Sequence, residues 1–520
     1  MGMPIAGTAP VSNVLQARER GPTMSEGEWA KGLYERNIHN VERTKKYQSH
    51  ELAGQRWAKS LEEVAAGRIT EPEPITEEIL RRVPLTPRFA VRGPQSSKLA
   101  PKIRTIDDFR ASAINDILHT SDTDVPENLD TLLAAAVFHT QKGPAVKLLT
   151  SPVDFKHAYK TIPICRTQGD FAHIVLTPPQ GEPMVAELRT QPFGSRRAPA
   201  NWGRVAAFAQ WALSTFFCVY LAKYVDDCFA TAPESTCSSA FLAVKGVCEI
   251  LGFPLEEKKE CLPAPTIDIL GATVSIGSFF VEARLPTGRK GRLISDLKEI
   301  APRGTLTPGK AAKIRGRLGY AQSLMFGRLG RAHLQPFSDR QYAKHGLGKW
   351  ELNSDLKEVL AWWIANVFSA VPRRVNFSKE APVLVYTDAS GQGHVEAVLV
   401  LGGRRISYHT HMPAWAAKWG IFEFELAAVI LGIVAALIHA PARAIFAFCD
   451  NTAVDHTVVR GSNSTRLGRS LCSVVWAILT CTSTALWLEY VNTMVNPADP
   501  PSRACWGLPE ESRHMGVSCE

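Results

Sequence analysis

The stretch Lys223-Tyr-Val-Asp-Asp-Cys-Phe-Ala230 places two adjacent carboxylates inside an otherwise apolar run. An unpaired charge in apolar surroundings is costly unless a metal ion or another cation compensates it, so the pair indicates a metal site. Apolar residues alternate on both sides of the pair, which predicts two short strands with Asp226 and Asp227 at the turn of a hairpin. For an isolated pair, a plain turn is favoured, because Asp tolerates turn geometry without any ligand.

A third carboxylate joins the pair from seventy-two residues before Asp226. In Ser151-Pro-Val-Asp154-Phe-Lys-His-Ala-Tyr159, a strand-like run delivers Asp154 into a stretch that then becomes helical. Together with Asp226 and Asp227, it could hold two divalent ions about 3.5 to 4 Å apart, an arrangement that activates an attacking hydroxyl in phosphoryl transfer. Hard oxygen ligands select Mg²⁺ or Mn²⁺.

A second set of carboxylates lies in the C-terminal region. Asp388 ends a predicted strand, Glu425 lies on a predicted helix, Asp450 follows another strand, and Asp499 closes the segment Asn496-Pro-Ala-Asp499. Four acids from four elements again suit two metal ions, here for hydrolysis with a metal-bound water as nucleophile. Glu423 competes with Glu425 for the helical position, and residues two apart on a helix point in different directions.

The composition limits the classes of protein to which the chain can belong. The chain has 520 residues, 45% hydrophobic and 21% charged, an ordinary globular balance that is long enough for about two to four domains. Its eleven cysteines include no Cys-x-x-Cys pair, so neither a disulfide framework nor a zinc knuckle is indicated. The chain opens without a signal-peptide pattern, and its apolar stretches are short or interrupted by polar residues. We therefore expect an intracellular protein, in the cytoplasm or nucleus, that is neither secreted nor embedded in a membrane.

The positive charge is unevenly distributed. The formal net charge is +9, yet residues 284 to 349 alone contain fifteen Lys and Arg against three Asp and Glu. Within this basic segment, a helix that opens near Thr307-Pro308 places Lys310, Lys313 and Arg317 on one face. Such a face predicts contacts with nucleic-acid phosphates that do not depend on base sequence.

The first set of acids lies among motifs that resemble those of the reverse transcriptases. The Tyr-x-Asp-Asp box of that family is present at residues 224–227. The segment Gln191-Pro-Phe-Gly-Ser-Arg-Arg-Ala-Pro is similar to the one that lines the family's nucleotide pocket, and Arg104-Thr-Ile-Asp-Asp-Phe-Arg110 is similar to its fingers strand. The resemblance implies that two Mg²⁺ or Mn²⁺ ions are held by Asp154, Asp226 and Asp227.

The same resemblance implies a set of nucleotide contacts. Arg104 would grip the incoming triphosphate, and Tyr159 would be the aromatic gate that rejects a ribose 2′-hydroxyl. The remaining implied contacts are Lys98, Phe155, Phe193, Gly194 and Lys259.

The second set of acids resembles the active site of ribonuclease H in order and local context. The resemblance implies that two Mg²⁺ or Mn²⁺ ions assist cleavage of the RNA strand of an RNA–DNA hybrid. It favours Glu425 over Glu423, because Glu425-Leu-Ala-Ala-Val429 matches the family segment. The chain departs from the family at Gly391-Gln-Gly-His394, where Gly-Trp-Gly is usual, and in lacking a His-bearing loop before the last acid. The implied ligands are Asp388, Glu425, Asp450 and Asp499.

Together the resemblances imply a multidomain protein of α+β and α/β class, from a retroelement of the LTR, DIRS-like or pararetroviral type. A right-hand polymerase with fingers, palm and thumb would be followed by a ribonuclease H-like α/β domain. Its partners would be an RNA template, a DNA primer, an RNA–DNA hybrid and dNTPs. The predicted segments are a disordered N-terminus (1–25), a helical N-terminal extension (26–95), fingers and palm (96–280), a basic thumb and connection (281–375), the ribonuclease H-like domain (376–505) and a tail (506–520).

Two other functions compete with this interpretation. A decayed or domesticated retroelement protein would bind nucleic acid without turnover, although the intact carboxylates argue against it. A polymerase that makes RNA, or that copies only DNA, conflicts with Tyr159 as a ribose gate and with the attached nuclease.

Overall fold

The computed structural model describes residues 2–48, 50–93, 103–141, 146–257, 260–343, 350–377, 380–441, 443–499 and 512–514. The chain divides into two compact units, Met1–Leu270 and Gly271–Glu520. Both units combine helices with sheets, as a mixed α and β class requires.

The first unit contains helices and strands from its N-terminus onward. Its helices are α1 (Glu26–Lys31), α2 (Leu33–Lys45), α3 (Ala53–Ala65), α4 (Glu77–Arg82), α5 (Leu129–Gln141), α6 (Ala198–Phe217) and α7 (Cys237–Ile250). Its strands are β1 (Gln16–Arg20), β2 (Glu73–Pro74), β3 (Leu85–Arg92), β4 (Ile103–Asp107), β5 (Thr120–Thr123), β6 (Leu148–Asp154), β7 (His173–Leu176), β8 (Met184–Glu187), β9 (Leu221–Tyr224), β10 (Asp227–Pro233) and β11 (Thr266–Ile269).

A three-stranded antiparallel sheet, in the order β6-β10-β9, carries the first set of acids. The predicted hairpin is present as β9 and β10, which are joined by Val225 and Asp226. Helices α6 and α7 share a buried core with this sheet through Trp202, Leu213 and Val244. The acids of the first set stand where these strands end.

A five-stranded sheet, in the order β2-β8-β7-β3-β4, contains strands from both sides of the predicted limit at residue 95. Strand β3 pairs with both β7 and β4, so it belongs to the interior of this sheet rather than to a helical extension. Asn37 and Asn40 of α2 donate to the carbonyls of Val83 and Leu85 at 2.7 and 2.9 Å. The sequence pattern predicted helices in this region but could not show which backbone carbonyls their side chains bind.

The N-terminal residues, predicted to be disordered, pack against later segments of the first unit. Ile5 is completely buried, and the N–H groups of Ile5 and Ala6 donate to Gln168 Oε1 at 2.6 and 3.0 Å. Strand β1 pairs with β5. A segment rich in Gly, Pro and Ser can be ordered when distant side chains satisfy its backbone, which a local pattern does not show.

The second unit contains seven more helices among its described residues. They are α8 (Thr287–Arg303), α9 (Pro308–Ser323), α10 (Gln335–Gln341), α11 (Ser354–Ser369), α12 (Ile421–His439), α13 (Thr452–Arg460) and α14 (Arg466–Thr482). The strands are β12 (Ala272–Ile276), β13 (Phe280–Arg284), β14 (Arg373–Asn376), β15 (Val383–Ala389), β16 (His394–Leu401), β17 (Arg404–His411), β18 (Ile445–Cys449), β19 (Leu486–Tyr490) and β20 (Ser512–His514).

A six-stranded sheet, in the order β19-β18-β15-β16-β17-β20, forms the centre of this unit. Strands β15, β16 and β17 are antiparallel neighbours, whereas β18 lies parallel to β15 and β19 lies parallel to β18. Among the described residues, α12 is the helix that is long and apolar enough to cross a membrane. Its Leu426, Val429 and Ile433 are completely buried in the core that it shares with this sheet, as in a core helix.

The predicted limits at residues 280 and 375 both fall inside the second compact unit. The second unit begins at Gly271 and continues through residue 375. Phe326 and Leu329 of the basic segment pack against the core of the six-stranded sheet. At Gly327, an added Cβ would lie 2.5 Å from the ring of Trp476 on α14. The basic segment and the C-terminal sheet therefore share apolar contacts, which a change in charge along the sequence does not show.

Candidate active sites

The first set of acids lies at a strained hairpin turn. Val225, the first of the two turn residues, has a φ of 55°. Tight two-residue hairpins often need a positive φ at this position and usually place Gly there. For a β-branched residue this conformation is sterically unfavourable, and such strain persists only where the surroundings hold it in place. Backbone strain of this kind is concentrated at functional sites.

Trp202 of α6 holds this turn. Its Nε1 donates to the Val225 carbonyl at 2.5 Å. Its ring packs edge-on against Phe155 and Phe253, with ring centroids 5.0 and 6.1 Å away. A buried donor from a distant helix therefore fixes the backbone that carries Asp226.

Asp154 and Asp227 are direct cross-strand partners. The register of β6 and β10 places them opposite each other, and the Phe155 N–H donates to the Asp226 carbonyl at 3.3 Å. Like charges in opposed positions destabilise a sheet, so a cation between them would be favourable. In the described part of the chain, three or more His, Cys, Asp or Glu side chains have ligand atoms within 4.8 Å of one another only in the second unit. Asp154, Asp226 and Asp227 do not form such a group.

Tyr159 and Phe193 lie in contact beside these acids. Their ring centroids are 5.2 Å apart, with the planes inclined by 55°. Burial, with the charges of Asp226 and Asp124, raises the pKa of Tyr159 to about 12. The phenol is therefore neutral at physiological pH and close enough to Asp226 to feel its charge.

Gly194 allows the Phe193 segment to approach β4 closely. Its φ is 114°, and an added Cβ would lie 1.9 Å from the carbonyl oxygen of Asp107. The Asp107 N–H donates to the Phe193 carbonyl at 2.9 Å, and Asn115 Nδ2 donates to the Gly194 carbonyl at 3.1 Å. A residue without a side chain is required at this position.

We expect Gly194→Ala to lower the free energy of unfolding by about 2 to 4 kcal/mol, because the methyl group meets both an unfavourable φ and the Asp107 carbonyl. Urea denaturation measures this change. Gly246→Ala is the matched control, since a Cβ there meets nothing within 4 Å and the residue lies within α7. That control should be neutral or stabilising by up to about 1 kcal/mol. Equal effects of the two substitutions would contradict the close approach at Gly194.

The other predicted nucleotide contacts have different surroundings. Phe155 is only 3% exposed, and its ring packs against Trp202. Arg104 is exposed on β4, opposite Val91 of β3. Lys98 and Lys259 lie outside the described residues.

Asp388 and Asp450 stand at the same edge of the six-stranded sheet. Parallel strands β15 and β18 pair with Thr387 opposite Cys449, and the next residue on each strand is an acid. The carboxyl ends of parallel strands are the edge at which such sheets place their ligands. Oxygens of Asp388, Asp450 and Asp499 all lie within 4.8 Å of one another.

Asn496 brings Asp499 to this edge. It is buried, its Nδ2 donates to the Thr387 carbonyl at 3.0 Å, and its own carbonyl accepts from the Asp499 N–H at 3.1 Å. Thr493 Oγ1 also donates to the Asp450 carboxylate at 2.7 Å. The segment before Asp499 is thus anchored to β15 directly beside Asp388.

Glu425 reaches the site, and Glu423 has another role. Ligand atoms of Glu425, Cys449 and Asp450 lie within 4.8 Å of one another. Glu423 Oε2 instead accepts from the Gly420 N–H at 3.0 Å and caps the start of α12. In a capping box, the acid lies three residues after the cap, as Glu423 lies three residues after Gly420. The two acids on this helix therefore have different roles.

The second set of acids is electrostatically unfavourable on its own. Burial, with the charges of Asp388 and Asp450, raises the pKa of Glu425 to about 9. Closely spaced carboxylates disfavour one another's ionised form, and a divalent cation removes this penalty. The donor atoms are hard oxygens, so the set fits Mg²⁺ or Mn²⁺.

The chain is similar to solved foamy viral protease–reverse transcriptases. Each of three such structures shares 14% sequence identity with it. The dRH form in complex with double-stranded DNA aligns over 85% of this chain and 70% of its own, with a TM-score of 0.48. A complex with RNA/DNA hybrid aligns over 90% and 57%, with a TM-score of 0.47, and a complex with double-stranded DNA over 85% and 83%, with a TM-score of 0.45. No protein-family model and no curated protein matches the chain.

Two residues near the second site were missed by the sequence patterns. Cys449 donates its thiol to Glu425 Oε2 at 3.9 Å, and burial raises the pKa of Cys449 well above its usual range. Glu396 lies opposite Asp388, is 1% exposed, and has its pKa raised to about 8 by burial. An acid inside the otherwise apolar run of β16 was the available signal for Glu396.

The predicted basic face of α9 is present in part. Ile314 and Leu318 are buried, whereas Lys313 and Arg317 are exposed and Lys310 is half-buried. The helix begins at Pro308, as predicted, and Thr307 caps it. Arg317, however, forms an ion pair with Asp296 of α8, which reduces the charge that this face offers to phosphates.

Proposed function

We propose that the protein is an RNA-directed DNA polymerase of retroelement type that also cleaves the RNA strand of RNA–DNA hybrids. The observation that carries this proposal is the presence of two separate acid sets in one chain. One lies at the strained hairpin where Asp227 faces Asp154, and the other lies at the ends of β15 and β18. A site for synthesis and a site for template removal together favour reverse transcription over either activity alone.

Asp154, Asp226 and Asp227 would hold the ions of the first site, and Asp388, Glu425, Asp450 and Asp499 those of the second. When bound, such ions activate a primer 3′-hydroxyl or a water molecule and stabilise the leaving oxygen. Hard oxygen ligands at both sites support this assignment.

The remaining residues of the first site position the nucleotide. Trp202 fixes the turn that presents Asp226. The ring of Tyr159, packed on Phe193, would occupy the space that a ribose 2′-hydroxyl needs and so favour a deoxynucleotide. Arg104, exposed on β4, would pair with the triphosphate. Lys310 and Lys313 would contact the duplex backbone.

In the second site, neighbouring side chains would orient the acids. Asn496 ties the Asp499 segment to β15, and Thr493 orients the Asp450 carboxylate. Glu425 approaches Asp450 from α12, and Asp450 also lies close to Asp388 and Asp499, so Asp450 links the two groups of ligand atoms. This arrangement supports hydrolysis of a phosphodiester in the RNA strand.

A single doubly labelled hybrid tests both activities. A DNA primer labelled at its 5′ end is annealed to an RNA template with a second label, and dNTPs and Mg²⁺ are added. We expect the primer to lengthen and the RNA to shorten, and EDTA should abolish both changes because both sites depend on bound ions.

The controls separate the competing functions. Replacing dNTPs by rNTPs should stop extension, and extension with rNTPs would instead indicate an RNA polymerase. Binding of the hybrid without extension or cleavage would contradict the proposal and favour a retroelement protein that has lost turnover.

A further inference from the structure

Four charged side chains meet inside the first unit. Arg88 of β3 donates to Asp107 of β4 from Nε at 2.6 Å and from Nη2 at 3.1 Å, and its Nη1 donates to Glu63 Oε2 at 3.0 Å. Lys160, in the 3₁₀ turn Ala158–Thr161, forms an ion pair with Glu63 Oε1. Glu63, Arg88, Asp107 and Lys160 are called the four-charge cluster below.

The four-charge cluster is buried and electrically balanced. Side-chain exposure is 0% for Arg88, 1% for Asp107, 10% for Glu63 and 8% for Lys160. Burial alone would raise the pKa of Glu63, but Arg88 and Lys160 outweigh burial and hold that pKa below its usual value. Buried ion pairs are seldom better stabilisers than apolar packing, so such a cluster is better explained by a role in fixing geometry.

The four-charge cluster is connected to both aromatic residues of the proposed nucleotide pocket. Lys160 directly follows Tyr159, and its Nζ lies 5.8 Å from the centroid of the Phe193 ring. The Asp107 N–H donates to the Phe193 carbonyl at 2.9 Å. Tyr159 is therefore connected to the cluster through Lys160, and Phe193 is connected through Asp107.

We propose that the four-charge cluster positions Tyr159 against Phe193 and so sets how strictly the polymerase site selects deoxynucleotides over ribonucleotides. This inference rests on the proposed polymerase function. Glu63 and Lys160 are positioning residues, because they act through the aromatic pair. Helix α3, predicted to belong to an N-terminal extension, thereby contributes to substrate selection through Glu63.

Breaking the ion pair has a defined structural consequence. Without the Glu63 carboxylate, Lys160 is a buried cation that lacks its ion-pair partner. Keeping such a charge buried is strongly unfavourable. Its side chain must then turn toward solvent and shift the turn Ala158–Thr161. Because Tyr159 lies in this turn, its spacing from Phe193 changes while the hairpin acids stay in place.

Single-nucleotide extension kinetics test the proposal with Glu63→Gln and Lys160→Met. For both variants we expect KM for the dNTP to rise about tenfold while kcat changes less than about threefold. The ratio of kcat/KM for the dNTP to that for the matching rNTP should fall about tenfold. Lys160→Arg keeps a cation beside Glu63, so its selectivity should stay within about twofold of the wild type.

Asp122→Asn is the matched control, because Asp122 forms another buried ion pair of the same unit, with Arg204 at 3.0 Å. A purely structural cluster would lower stability as this control does and leave sugar selectivity unchanged, which would overturn the proposal. If Glu63→Gln does not fold, the pair Lys160→Met and Lys160→Arg decides the question. A wild-type protein that extends no primer overturns the proposed function, whereas active wild type with unchanged Lys160→Met selectivity overturns only this inference.

Discussion

Asp226→Asn should abolish DNA synthesis, with kcat reduced by at least about 10³-fold, while cleavage of the RNA strand stays within about twofold of the wild type. Asp226 is exposed in the turn, so the nearly isosteric amide leaves the fold intact but removes a charged ligand. Primer extension and hybrid cleavage are measured on the same preparation, and thermal unfolding checks that the variant is folded.

The matched control for Asp226→Asn is Asp170→Asn, which changes another exposed acid of the first unit. This control should leave synthesis unchanged within about twofold. Persistent synthesis by Asp226→Asn would remove the hairpin from the catalytic assignment, even if the protein proves to be a polymerase.

Asp450→Asn should have the opposite effect. We expect hybrid cleavage to fall by at least about 10³-fold and primer extension to remain within about twofold, because Asp450 belongs to both close ligand groups of the second unit. Cleavage is followed on a labelled RNA strand, with extension of a primer on a DNA template as the measure of synthesis.

Asp455→Asn is the control for this second variant, since Asp455 lies on α13 shortly after Asp450 but outside the acid set. This control should leave both cleavage and synthesis within about twofold of the wild type. Loss of synthesis in Asp450→Asn would argue that the two sites do not act independently.

The local elements around both sites could be predicted from the sequence. Period-two alternation around Asp226 predicted the hairpin, and β9 and β10 confirm it. Thr307-Pro308 predicted the start of α9, where the cap and the apolar face are both present. These features depend on short-range patterns of polarity and on cap chemistry, which neighbouring residues alone determine.

Long-range features could not be predicted in this way. The order of N-terminal residues depends on Gln168, which lies far along the chain from Ile5. The burial of Phe155 depends on Trp202 and Phe253, which come from later elements. The ion pair of Arg317 with Asp296 joins two helices whose packing no local pattern specifies. In each case the partner is chosen by packing, and sequence spacing carries little information about it.

The sequence by itself determined which acids to consider, because their motifs and order along the chain are visible without coordinates. It left open whether Glu423 or Glu425 belongs to the second set. Only the tertiary structure placed Asp227 opposite Asp154, assigned Glu423 to the cap of α12, and joined Glu63 to Lys160. The physical reason is that residue type and local pattern determine strands, caps and turns, whereas the register of strands and the pairing of buried charges are decided when distant segments exclude water from the same core.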